Sequence, residues 1–299
     1  MRAFSLLPIL LALISAPLLP GIINRTKAWV AGRTGVPLLQ FYYDLARLLR
    51  KGAVYSTTTT WIFRLAPPLM LGTLLCSLTL LPLCGLPAFF PFAGDPILLV
   101  GLFALIRFFI ILMALDTGSP FEGMGASREA YYAVLCEPAL FLALLSVAQV
   151  SGGESLSDMV FRLSFYSPEM VLAGAALFVV FLCENSRIPF DDPNTHLELT
   201  MVHEVMVLDN SGPDFAFILY AQSLKLWIFG SLILMVLFPF FTEGPIVERF
   251  FLTLAGLAFL SVITGVVESV MARLRLTKVP QLLAAAVALS ALSFILGMR

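Results

Sequence analysis

Residues 96–115 read PILLVGLFALIRFFIILMAL, twenty positions whose single ionisable side chain is Arg107. A bilayer hydrocarbon core about 30 Å thick is crossed by roughly 20 apolar residues in a helix, which satisfies its own backbone hydrogen bonds where water is absent. The stretch therefore predicts a transmembrane helix. Scanning outward finds seven more, at Phe4–Ile23, Leu65–Leu86, Ala130–Val150, Pro168–Leu182, Phe215–Phe241, Phe250–Met271 and Val279–Leu296. The whole chain is 60% hydrophobic and 12% charged, whereas a soluble domain carries roughly 25% charged residues. The expected fold is all-α, a single polytopic membrane domain over residues 1–299 with about eight transmembrane helices. Arg2 precedes the first apolar run, but Ala16 is followed by Pro17 and no small-x-small cleavage pattern appears, so the first segment is expected to be a retained helix.

Orientation follows from the basic residues. Twelve of the eighteen Lys and Arg fall in the connections at about 24–64, 116–129, 183–214 and 272–278. The positive-inside rule places these loops in the cytoplasm and both termini outside, in a cell (inner) membrane. With a net charge of −1, the chain has no basic excess to neutralise a phosphate backbone, which excludes nucleic acid as a partner. Cys76, Cys84, Cys136 and Cys183 stand far apart without metal-ligand spacing and read as packing residues. No nucleophile elbow, phosphate loop or dinucleotide fingerprint occurs, so no catalytic residue is assigned.

Three polar segments converge on the predicted cytoplasmic side. In the first, Trp29, Leu38, Leu39, Tyr42, Leu45, Leu48 and Leu49 recur at roughly helical spacing opposite Arg47, Arg50 and Lys51, predicting an amphipathic surface helix. It reads equally as an interfacial anchor or as one wall of a docking cavity. In the second, Gly118, Pro120, Gly123 and Gly125 predict a tight turn, with Ser127 capping a helix that begins near Arg128. Glu137 then stands within an otherwise apolar helix, where a carboxylate is costly to keep ionised. It reads either as an ion pair with Arg107 or Lys225 or as a proton-relay site. The third segment, Glu184 to Asp214, holds seven carboxylates (Glu184, Asp191, Asp192, Glu198, Glu204, Asp209 and Asp214) and both histidines against one base, Arg187. Such a cluster suits proton exchange or a partner surface. His196 and His203 are seven residues apart, about 10.5 Å along a helix, which argues against a shared metal.

Together these segments resemble the complex I subunit 1 family over essentially the whole chain. The resemblance rests on Gly32-Arg33-x-Gly35 followed by Gln40 and Asp44, on GSPFEGMGASRE at 118–129, on Arg128 nine residues before Glu137, on ENSRIPFD at 184–191 and on ESVMARLRL at 268–276. Residues 191–212, DDPNTHLELTMVHEVMVLDNSG, are similar to the membrane-bound nickel-iron hydrogenase and formate hydrogenlyase branch. The chain departs from quinone-reducing relatives at Asn194 and His196, where those typically carry glutamates, and at Val36, where many have proline.

The resemblance implies a non-catalytic, energy-coupling membrane subunit of an oxidoreductase complex, which links redox chemistry in a peripheral arm to proton or sodium translocation. Its implied partners are hydrogenase large and small subunits and iron-sulfur subunits, which carry the nickel-iron and iron-sulfur centres, together with antiporter-like membrane subunits. This chain is expected to bind no redox cofactor itself. The implied proton-relay residues are Glu137, Glu184, Asp191, Asp192, Glu198 and Glu204, with Arg107, Arg128, Arg187 and Lys225 tuning their charge. Arg33, Gln40, Asp44, Glu122 and Arg128 fall in the implied docking loops. A quinone-site subunit and a stand-alone ion transporter are the competing functions.

Overall fold

A computed structural model describes residues 6–163, 167–191, 201–239 and 244–298. Among them the chain forms α1 (Leu6–Ser15), α2 (Leu18–Val30), α3 (Gln40–Leu49), α4 (Trp61–Leu80), α5 (Asp95–Asp116), α6 (Pro120–Ser151), α7 (Leu156–Arg162), α8 (Pro168–Glu184), α9 (Gly212–Leu237), α10 (Ile246–Val270) and α11 (Val279–Gly297). Seven segments are long and apolar enough to cross a membrane, α1 and α2 counting as one span from Leu6 to Val30. The eighth predicted stretch is α8, which has 17 residues. The protein is thus an all-helical, multi-pass membrane protein.

α5 shows why these runs become bundled helices. Leu99, Phe103, Ile106, Ile110 and Met113 recur every three or four residues, and all are buried. This stripe faces the bundle, where Phe103 stacks on Phe229 of α9 at 4.6 Å. Ile97, Leu98, Leu105, Phe108 and Leu115 lie on the outer side and are exposed, as a lipid-facing surface requires. α9 runs through the centre, with Leu224, Trp227, Ile228 and Phe229 wholly buried. Hydrogen bonds also join the helices: Ser146 and Ser293 approach to 2.6 Å between α6 and α11, the small polar contact that tightens packing where lipid offers no hydrophobic drive.

Acidic caps tie the helix ends together. Asp116, ending α5, accepts from Thr60 N at 2.7 Å, Thr60 Oγ1 at 2.7 Å and Phe63 N at 3.3 Å, covering orphan amides at the start of α4. At the far end, Asp95 accepts from Leu156 N at 2.7 Å. The connections predicted to lie together do share one end of the bundle. Val54 N donates to Ser211 Oγ at 2.9 Å, Asp209 N to Glu122 Oε1 at 3.2 Å, and Leu274 N to Pro189 O at 3.0 Å.

Two expectations fail. The amphipathic surface helix is confined to Gln40–Leu49, while Trp29 belongs to α2, which continues the first span seven residues beyond Ile23 to Val30. The larger failure is the predicted turn at 118–129. α6 begins at Pro120 with Ser119 as its N-cap, so Gly123, Gly125 and Ser127 are helical. Proline at the first helical position lacks an amide that would be unbonded there anyway. Gly125 is glycine for space rather than for turning, since a Cβ there would stand 2.4 Å from Val205 Cγ1 and 2.8 Å from Val202 O. Gly125→Leu is therefore expected to displace the 201–207 segment and cost about 1–3 kcal/mol. A lower thermal midpoint of the detergent-solubilised protein would register that loss, and an unchanged midpoint would refute the packing account.

Candidate functional site

The buried centre is Arg107, held in α5 among Phe103, Ile106 and Ile110 with its side chain 4% exposed. A guanidinium in such a place needs partners for its planar fork of donors, and three carboxylates meet it. Nε donates to Glu129 Oε1 at 3.0 Å and Nη1 to Glu137 Oε1 at 2.8 Å, both from α6. Nη2 donates to Glu184 Oε1 at the end of α8. The second oxygen of Glu184 pairs with Lys225 Nζ of α9 at 2.6 Å. Five ionisable side chains from four helices thus form one continuous ionic chain. When all are ionised it holds three negative charges against two positive ones, an excess that a single exchangeable proton would balance.

The chain opens onto a cavity of about 140 Å³ at the loop end. Arg107, Glu129, Glu184 and Lys225 line its inner part, and Arg187, His203 and Glu204 line its loop side. Pro20, Asn24 and Phe41 connect it to α2 and α3. His203 Nε2 is buried without a hydrogen-bond partner among the described residues. Burial, with the Lys225 ammonium adding to it, holds the imidazole pKa down at about 4 against an ordinary 6.5.

This depression has a signed consequence. Between pH 6.5 and about 4 the unfolded chain carries a proton that the folded segment refuses, so its stability is full above the upper value and falls with acidification. The slope is about 1.4 kcal/mol per pKa unit separating the two states. Amide exchange in residues 201–207, corrected for intrinsic rates, is expected to quicken from pH 7 to 5 in the wild type but not in His203→Gln. Equal pH slopes in both proteins would contradict it.

A second ionic cluster braces the same end. Glu268 of α10 pairs with Lys27 at 2.8 Å and with Arg187 at 3.4 Å. Asp191 accepts from Val202 N and His203 N at 3.0 Å each and from Arg273 at 2.8 Å, so it fastens the 201–203 backbone. Arg128 Nη1 donates to Met201 O at 2.7 Å. On α3, Asp44 takes Gln40 at 3.0 Å and Arg47 at 3.2 Å, while Arg33 lines a separate open groove beside Lys27.

The sequence-derived sites therefore divide. Glu137, Glu184, Arg107 and Lys225 come together, with Glu204 on the same cavity; Arg187 also reaches it, though its ion pair is to Glu268. Asp191, Glu122 and Arg128 bind loop backbone. Asp192, Glu198 and His196 lie outside the described residues. Of the two cations weighed for Glu137, the structure selects Arg107 and gives Lys225 to Glu184. Glu129, Glu268 and Lys27 were not singled out from sequence. The signal for Glu129 was its place eight residues before Glu137, visible once both lie on one helix. Among the described residues, no group of three His, Cys, Asp or Glu side chains could hold a metal ion.

A membrane-length helical bundle closed around a buried ionic chain defines a polytopic membrane protein with a charged core. Comparison with known proteins gives that class a family. The NADH dehydrogenase family profile matches residues 3–298, and the chain belongs to this family, that of complex I subunit 1. It is 35% identical to formate hydrogenlyase subunit 4 of Escherichia coli (strain K12), covering 94% of this chain and 93% of that protein. Hydrogenase-4 component C of the same organism is 32% identical, with 90% and 87% covered. A subunit of the NADH-quinone oxidoreductase of Salinibacter ruber is 24% identical, with 76% and 68% covered. The fold matches a chain of the membrane-bound sulfane sulfur reductase, an archaeal respiratory membrane complex, with a TM-score of 0.85 over 98% of both chains at 19% identity.

Proposed function

We propose that this chain is the membrane docking and energy-coupling subunit of a hydrogenase- or formate hydrogenlyase-type complex. The observation that carries the proposal is the ionic chain from Glu137 through Arg107 and Glu184 to Lys225, which opens on the end of the bundle where the long loops gather. Near-full-length similarity to two hydrogenase-complex subunits supports the choice of partner. A soluble redox module, its large and small subunits bearing nickel-iron and iron-sulfur centres, docks on the loop end. Antiporter-like subunits adjoin the bundle, and no redox centre belongs to this chain.

The coupling is electrostatic. A unit charge appearing 8 Å from a carboxylate changes its energy by about 2 kcal/mol at an effective dielectric near 20. That suffices to transfer the balancing proton between members of the ionic chain. Glu137, Glu184 and Glu204 act as the relay together with Asp191, Asp192 and Glu198. Arg107, Arg187 and Lys225 set which carboxylate holds the proton.

Affinity purification of the tagged full chain from mild detergent is expected to bring down nickel and iron-sulfur subunits with hydrogen-evolving activity. Isolation of the chain alone would remove the docking role, and co-purification with quinone reductase activity would move it to the quinone branch. Sidedness is tested by reporter fusions. Junctions after Gly52 and Gly212 are expected to report cytoplasm and one after Gly94 the opposite face; a cytoplasmic signal at Gly94 would invert the topology.

A further inference from the structure

We propose that the outer face of α3, with the loop that follows it to Trp61, is a foot that binds anionic phospholipid headgroups in the leaflet at the loop end. The depth of α3 is fixed by its contacts with the first span. The apolar run of that span ends at Ile23, and α2 continues beyond it through Asn24, Arg25 and Lys27 to Val30. The chain then turns back: Leu38 O comes so close to Gly21 that a Cβ there would collide with it, and Tyr42 OH donates to Ile14 O. α3 therefore lies where the apolar run gives way to polar residues, the depth of a bilayer surface. Trp61, which opens α4, is exposed at the same end of the bundle, as in the aromatic belts that mark membrane interfaces.

The two sides of α3 differ. Phe41, Tyr42, Leu45 and Leu48 are half-buried against the bundle, and Phe41 lines the central cavity. Tyr43, Arg47 and Arg50, spaced four and then three residues apart, share the outer side and are exposed. From Gln40 to Arg64 the sequence holds four bases, Arg47, Arg50, Lys51 and Arg64, against one acid, Asp44, in a chain whose net charge is −1. Asp44 pairs with Arg47, and the Arg64 guanidinium lies 4.4 Å from the centre of the Tyr55 ring. Arg50 and Lys51 are exposed, and no carboxylate among the described residues pairs with either. A helix C-terminus favours a cation, but one helix end does not call for this excess, nor for Leu49, Val54 and Trp61 standing exposed beside it. Bases bordered by exposed apolar side chains at this depth complement phosphate groups bordered by acyl chains. The bound lipid holds α3 on the bundle and so keeps Phe41 in the cavity wall. Lipid binding stands apart from the proposed function and survives its failure.

The test places the full chain in lipid nanodiscs of phosphatidylcholine, either alone or with one third phosphatidylglycerol. Amide exchange across residues 40–51 is expected to be severalfold slower in the anionic discs. Molar sodium chloride is expected to abolish the difference, because it screens charges beyond about 3 Å. Each base near an anionic surface strengthens binding roughly fivefold, so the double variant Arg50→Gln with Lys51→Gln is expected to lose most of the slowing. Lys278→Gln, which removes an exposed base from another loop, is expected to keep it. Exchange across α9 reports that each variant is folded, and the wild-type comparison decides on its own where one is not. Equal exchange of the wild type in both discs would overturn the proposal, as would an undiminished response in the folded double variant or an equal loss in Lys278→Gln. The same measurement on the purified complex separates lipid from protein. Slowing brought by its soluble subunits in phosphatidylcholine discs, with phosphatidylglycerol adding nothing, would give this face to a protein partner and overturn the lipid assignment.

Discussion

Replacing Arg107 with Met is expected to leave little of the protein in the membrane, because the change strands Glu129, Glu137 and Glu184 around a single remaining cation, Lys225. Removing one partner of a buried pair costs about 3–5 kcal/mol, a large share of the roughly 5–15 kcal/mol that stabilises a domain. Arg107→Lys is expected to recover part of the loss, since an ammonium restores the charge but not the planar fork that serves three carboxylates. Adding Glu129→Gln and Glu137→Gln to Arg107→Met is expected to recover more, because Glu184 and Lys225 then remain as a balanced pair. Quantitative immunoblotting of washed membranes measures all of these. Wild-type levels of Arg107→Met would show that the ionic chain is not what holds α5, α6 and α8 together.

Glu137→Gln should separate function from folding. The amide keeps the shape and can still accept a hydrogen bond from Arg107 Nη1, which lies 2.8 Å from Oε1, while the titratable proton is lost. Its side chain is 36% exposed, the most accessible of the five, so removing its charge strands less than a change at Arg107. Assembly is expected to survive. Hydrogen turnover with artificial electron carriers is expected to persist while membrane-linked proton movement falls sharply. Glu184→Gln and Glu204→Gln are expected to act on the same step, so each double variant with Glu137→Gln should show less than the sum of the single effects. Normal proton movement in Glu137→Gln would reduce this glutamate to an ion-pair partner.

The helix interiors were legible because twenty apolar residues in a row have few physical solutions. The run from 96 to 115 became α5 from Asp95 to Asp116, and the last run became α11 within one residue. What misled was a glycine-rich segment whose helical conformation depends on a neighbour. Gly123 and Gly125 look like turn residues until the 201–207 segment is seen packed against α6, where a side chain at 125 would collide. That misplaced helix start left Glu129 in the first turn of the predicted helix, at the edge of the predicted connection, where an exposed acidic residue is ordinary, so its alignment with Glu137 was passed over. Arg107, Glu137 and Lys225 could be marked from sequence as costly charges in apolar runs. Their pairing could not, because it depends on how four helices rotate about their axes, and hydrophobic patterning leaves that to within a residue or two. Asp191 was legible as an acidic loop residue but not as a fastener of backbone amides, because its partners Val202 N and His203 N stand eleven and twelve positions further along the sequence.

The length of α6 has a mechanical meaning. Thirty-two residues rise about 48 Å, well beyond a hydrocarbon core of about 30 Å, so one continuous rod runs from the loop surface into the membrane interior. Its surface end is clasped at Gly125 by the segment bearing Val202 and Val205, and Glu129 and Glu137 follow along the same rod. Pro138 comes directly after Glu137 and removes the backbone hydrogen bond that would stiffen the helix there. The clasped surface end and the two carboxylates that meet Arg107 are therefore carried on a single backbone, which ties the 201–207 segment directly to the buried ionic chain.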